Sequence, residues 1–130
     1  MNTKQSLTRK EVEIMEILWA SDRPLTASDI KEKHTVNPNT VEACLRTLLK
    51  KEVIKVADIV YSNTVLWRSY TPVLRRDEYW ASCYRQSAGN QNTTQLIARF
   101  IDETDDLDEI SRLEDLLLKK KNELSHREKS

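Results

Sequence analysis

The chain has 130 residues, enough for one ordinary domain or two small ones; 32% of them are charged and one is glycine. No apolar run approaches the length of a membrane span, and the polar start Met1-Asn2-Thr3-Lys4-Gln5-Ser6 lacks the apolar core of a signal peptide, so no membrane insertion and a cytoplasmic location are expected. Lys+Arg and Asp+Glu balance at 21 each, which argues mildly against nucleic acid as a partner.

The balance is uneven along the chain. Residues 1–72 hold 11 basic against 9 acidic side chains and residues 73–130 hold 10 against 12, so the first half has the sign that attracts DNA. Cys44 and Cys83 lie far apart with no Cys-x-x-Cys pattern, and His34 and His126 add no ligand spacing. Neither a disulfide framework nor a metal site nor a cofactor is expected. Catalysis finds no support either: there is no nucleophile elbow, phosphate-binding glycine loop or metal-ligand cluster, and Asp102-Glu103-Thr104-Asp105-Asp106 reads as a solvated loop.

In chain order, Leu7-Thr8-Arg9-Lys10-Glu11-Val12 carries a capping box, Thr8 with Glu11, and a hydrophobic staple, Leu7 with Val12. It predicts a helix over about 9–21 with a broad apolar stripe, ended by Ser21-Asp22-Arg23-Pro24. Leu25-Thr26-Ala27-Ser28-Asp29-Ile30 repeats the device and predicts a short second helix to about residue 34.

Val36-Asn37-Pro38 opens a third helix over 38–51: Asn37 can cap, Pro38 suits the first helical position, and Val36 staples to Val41. Val41, Cys44, Leu45, Leu48 and Leu49 share one face, while Asn39, Ala43, Arg46, Thr47 and Lys50 project from the other. Two short helices in succession fit a helix-turn-helix, whose second helix enters the major groove. The competing reading of the outer face is a solvated amphipathic surface, and core packing is the simpler role for Cys44.

Val53-Ile54-Lys55-Val56 and Val65-Leu66-Trp67-Arg68-Ser69-Tyr70 are rich in β-branched and aromatic residues and predict a β-hairpin, with Asp58 to Thr64 as a long tip. Three helices and a hairpin make a winged helix-turn-helix. After Thr71-Pro72 the chain turns helical over about 74–87, 93–103 and 107–125, leaving a frayed tail from Ser125. The division expected is a winged-helix domain over 1–72 and a helical domain over 73–130. Ile110, Leu113, Leu117 and Leu124 follow a three-and-four spacing interrupted by Lys120, with Leu116 beside them, which makes a helix seam, and such short helices make a thin core alone, so pairing with a second copy is inferred.

Glu11-Val12-Glu13-Ile14-Met15 with Trp19, Asn37-Pro38-Asn39-Thr40-Val41, Leu48-Leu49-Lys50-Lys51, Tyr70-Thr71-Pro72 and Leu96-Ile97-Ala98-Arg99-Phe100, in this order over about 7–124, resemble the penicillinase-repressor family of winged-helix transcription factors, the BlaI/MecI/CopY group. The resemblance implies a DNA-binding repressor, homodimeric on an inverted-repeat operator in double-stranded DNA. It departs from the family where Val12 replaces a usual Trp, Asn39 a usual Lys and Thr47 a usual Arg. The wing is longer than usual and its tip lacks the common glycine. Two commonly basic DNA-facing positions are thus neutral, and Arg46 compensates only in part, because one residue turns the side chain by about 100° around the helix.

The DNA-contacting residues implied are Asn39, Thr40 and Ala43 near base edges, Arg46 and Thr47 beyond them, Lys50 and Lys51 on phosphate, and Arg68 on the wing. Solvation of a helix end is the plain alternative for the two lysines, and of a strand edge for Arg68. The dimerising residues expected are Leu96, Ile97, Phe100, Ile101, Ile110, Leu113, Leu116 and Leu117. In the antibiotic-resistance branch the repressor is cut between Asn and Phe, which implies a membrane metallopeptidase sensor as partner; the matching bond is Arg99-Phe100, with packing of Phe100 as the simpler reading. A winged-helix protein-interaction module and a ligand-responsive regulator remain the alternative functions.

Overall fold

The structure, a computed structural model, describes residues 6–33, 36–62, 64–88 and 93–129. It divides into one compact unit ending at Ser87 and a second beginning at Ala88.

The first unit begins with α1, Arg9–Ala20, opened by the expected capping box: the Thr8 N–H donates to Glu11 Oε1 at 2.8 Å and the Glu11 N–H to Thr8 Oγ1 at 3.3 Å. Its Ile14, Met15 and Leu18 are buried. Strand β1, Leu25–Thr26, leads directly into α2, Ala27–Lys31, whose box is Thr26 with Asp29. The expected end near residue 34 falls outside the described residues; α2 itself closes at Lys31 and Glu32 caps it.

Helix α3 spans Pro38–Lys50, and the Asn37 side chain accepts from the Asn39 N–H at 3.0 Å. Val41, Leu45 and Leu48 enter the core with Ile30 of α2 and the α1 stripe. Beyond its cap Lys51, Glu52 takes a left-handed backbone, φ 63°. The Glu52 N–H donates to the Leu49 carbonyl at 3.0 Å and the Val53 N–H to the Leu48 carbonyl at 3.2 Å, closing a Schellman motif with buried Leu48 and Val53 as its apolar contact.

The hairpin differs from expectation in how far it pairs. Strands β2, Ile54–Ser62, and β3, Val65–Pro72, are antiparallel from Ile54↔Pro72 to Ser62↔Val65, with an irregularity between Val56 and Asp58. The stretch expected as a long tip is therefore mostly strand. β1 adds Leu25↔Tyr70 and Thr26↔Ser69, making a three-stranded sheet in the order β1-β3-β2.

Helix α4, Arg76–Ala88, sends Tyr79 into the same core, and the Trp19 indole N–H donates to the Leu74 carbonyl at 2.8 Å. The compact unit thus runs past the boundary expected at 72/73. The second unit contains α5, Thr93–Glu103, and α6, Leu107–Lys129. α6 extends through the segment expected to fray, because its Lys, Glu and Arg residues are good helix formers.

Candidate nucleic-acid interface

The outer face of α3 follows from what its inner face must bury. With Val41, Leu45 and Leu48 fixed in the core, helical geometry leaves Asn39, Glu42, Ala43, Arg46, Thr47 and Lys50 exposed. Thr40 is half-buried, and its hydroxyl donates to the Asn37 carbonyl at 2.9 Å, which braces the helix start. The Thr47 hydroxyl donates to the Ala43 carbonyl at 3.0 Å within the helix. Glu42, unwelcome beside phosphate, is held by Lys31 Nζ at 3.2 Å, so an ion pair from α2 neutralises the acidic member of this face.

Lys51 does not share that face. Its Nζ sits 2.6 Å from Glu11 Oε1 and donates to the Ser6 carbonyl at 2.9 Å, so it ties the end of α3 to the start of α1. Lys50 is the exposed lysine at this end of α3. The carboxylate that recruits Lys51 also closes the α1 capping box, a pairing 40 residues apart in sequence and absent from the local pattern.

Arg68 is exposed on the wing opposite Ile59. Around it the sequence reading missed an apolar surface: Ile59, Tyr61, Leu66, Val65 and Trp67 are all exposed. A lack of charge across 59–67 was the available signal.

Cys44 lies half-buried on the inner side of α3, and burial, with Glu11 nearby, pushes its thiol above the usual range. This suppresses the thiolate and suits a packing role. Tyr79 is pushed up to about 12 by burial and by its hydrogen bond with Cys83.

In the second unit the expected dimer-forming residues lie on α5 and α6. Leu96, Ile110 and Leu113 are half-buried, and Ile97, Phe100, Ile101, Leu116 and Leu117 are exposed. Six of the eight line one open groove of about 690 Å³. α5 contains no buried residue, so this pair of helices has an apolar face but no closed core. The Arg99-Phe100 bond lies inside α5 with both side chains exposed. Among the described residues no helix is long and apolar enough to cross a membrane.

One solved structure similar to this chain is the crystal structure of a zinc-responsive MarR family member, ZitR of Lactococcus lactis, with 20% sequence identity and a TM-score of 0.44, covering 88% of this chain and 76% of that one. No curated protein matches the chain. The family described as penicillinase repressor matches residues 7–119, which takes in the three helices, the wing, α4, α5 and half of α6. By that match the chain belongs to the penicillinase repressor family of DNA-binding, winged-helix transcriptional regulators.

Proposed function

We propose that the chain is a homodimeric repressor that reads an inverted-repeat operator with α3 and pairs through α5 and α6. The observation that carries the reading half is the outer face of α3: Asn39, Ala43, Arg46, Thr47 and Lys50 project together while Glu42 is paired away. Asn39 is suited to adenine, the Ala43 and Thr47 methyls to thymine, and Arg46 to guanine or phosphate. Arg68 would add a phosphate contact from the wing.

The pairing half rests on energetics. Covering exposed Ile97, Phe100, Ile101, Leu116 and Leu117 contributes about 1–2 kcal/mol per side chain, against an association cost of several kcal/mol. A twofold dimer would present two reading helices to successive major-groove faces. Footprinting on the DNA upstream of its own gene is expected to give two protected half-sites related by a dyad. Binding no tighter than to random duplex at physiological salt would refute the proposal and favour a protein-interaction role.

Control by proteolysis at Arg99-Phe100 is a second reading, favoured by the exposure of both residues. The bond is helical, so α5 must unwind before a protease can extend it. Cutting would remove the avidity of two linked heads. Extract from induced cells, including any membrane metallopeptidase, should then yield a fragment ending at Arg99; an intact chain would favour a small ligand in the α5–α6 groove.

A further inference from the structure

Helix α6 is 23 residues long and has little to pack against in one copy: among its described side chains Ile110 and Leu113 are half-buried and the rest are exposed. Leu116, Leu117 and Leu124 stand 64%, 64% and 45% exposed. An amphipathic helix gains its stability by covering such a stripe. The stripe borders an open groove of about 320 Å³ whose walls include Ile110, Leu113, Leu117 and Leu118 and whose rim carries Glu114 and Lys121.

The charges of α6 are sorted along its length. Residues 107–117 carry four acidic side chains against one basic, and residues 118–129 five basic against two acidic. Charges that support their own helix sit three or four residues apart with opposite signs. Glu114 and Lys121 do not: at those spacings each has only Ile, Leu or Ser. Their charges are thus open to a partner. DNA or an anionic membrane would attract the basic half and be repelled by the acidic one. A second α6 laid head to tail satisfies both halves at once, so the charge pattern selects a copy of this chain as the occupant.

We infer, on the basis of the homodimer proposed above, that α6 pairs antiparallel with α6 of a second copy, Glu114 of each against Lys121 of the other. In an antiparallel pair the same flank of each helix faces the other, which brings these two rim residues together twice. The twofold axis then passes beside Leu117 and Leu118, near the middle of the stripe, and Ile110 and Leu113 of one copy cover the partner's Leu124. Lys120, which interrupts the apolar spacing, lays its stem along the partner's leucines and its ammonium beside the partner's acidic half. A parallel pair would instead set Lys120 against the partner's Lys120, and acidic half against acidic half.

The test measures the dimer dissociation constant of the full chain by analytical ultracentrifugation over a range of salt concentration. E114K sets base against base and K121E acid against acid, each at two symmetric places, and each is expected to weaken the dimer about tenfold with unchanged circular dichroism. E114K/K121E restores opposite charges and is expected to dimerise like wild type. Rising salt should weaken the wild-type dimer and strengthen the two single variants, because it screens attraction in the one and repulsion in the others. The inference is overturned, with the homodimer left standing, if both single variants dimerise as tightly as wild type, if the double variant is weaker than either single one, or if salt strengthens the wild-type dimer. A wild-type chain that is monomeric at every concentration and salt overturns the homodimer as well.

Discussion

Glu11 and Lys51 form an ion pair at 2.6 Å that links the first turn of α1 to the end of α3, and it is largely withdrawn from water, with side chains 4% and 24% exposed. The Glu11 carboxylate also accepts from the Thr8 N–H, and Lys51 also holds the Ser6 carbonyl. Removing either partner leaves the other charge poorly solvated. Glu11→Ala loses the cap as well and is expected to cost about 2–4 kcal/mol in urea unfolding, above an ordinary surface change. Lys51→Ala should cost nearly as much, and the double variant less than the sum of the two. Simple additivity would mean that the pair contributes nothing as a pair.

Glu52 marks a second place where local chemistry and fold disagree. A side chain at φ 63° costs about 1 kcal/mol relative to glycine, and a Schellman cap ordinarily takes glycine at this position. Glu52→Gly is therefore expected to raise stability by about 1 kcal/mol, measured by thermal or urea unfolding. A loss of stability would mean that the glutamate side chain contributes more than its backbone costs.

The signals legible in the sequence were those that act within one turn of chain. Thr8 with Glu11, Thr26 with Asp29, and Asn37 before Pro38 each fixed a helix start, because a cap needs only its own neighbours. The outer face of α3 was legible for the same reason: helical period decides it once Val41, Leu45 and Leu48 are core. What escaped depends on partners distant in sequence. β1 is two residues whose strand character comes from Ser69 and Tyr70. The reach of the wing depends on pairing between strands, which carries β2 through most of the tip expected over Asp58 to Thr64. Lys51, one residue past the periodic face, is claimed by Glu11 across 40 positions. Leu74 and Tyr79 draw α4 into the first unit through Trp19, a contact that a boundary drawn at Pro72 could not anticipate.

Asp29 gives a pH dependence with a definite sign. The Thr26 backbone N–H that it accepts, together with the Thr26 hydroxyl and Arg23, holds its carboxyl below the ordinary value near 3.8, against the opposing effect of burial. A group depressed in the folded state stabilises above its unfolded value and loses that contribution as pH falls through the folded one. Asp29→Asn is thus expected to be less stable by about 1 kcal/mol at neutral pH, the worth of a helix cap. The gap to wild type should close as pH drops below 3.8. A gap that persists undiminished in acid would assign the effect to packing rather than charge.

The roles of Arg46 and Lys50 separate by salt and by sequence. Both are exposed on α3, Arg46 in the middle of the outer face and Lys50 at its C-terminal end, where a helix in the groove approaches the backbone. A base contact discriminates among sequences, whereas a phosphate contact weakens all of them alike. Arg46→Ala is expected to cost about 1–3 kcal/mol on the operator and much less on random duplex, compressing the specificity ratio. Lys50→Ala should weaken both DNAs equally and reduce the slope of log affinity against log salt by about 1. Titrations of both variants at several salt concentrations make the comparison. If neither substitution changes affinity or slope, the outer face of α3 does not meet DNA, and its exposed side chains serve a protein partner instead.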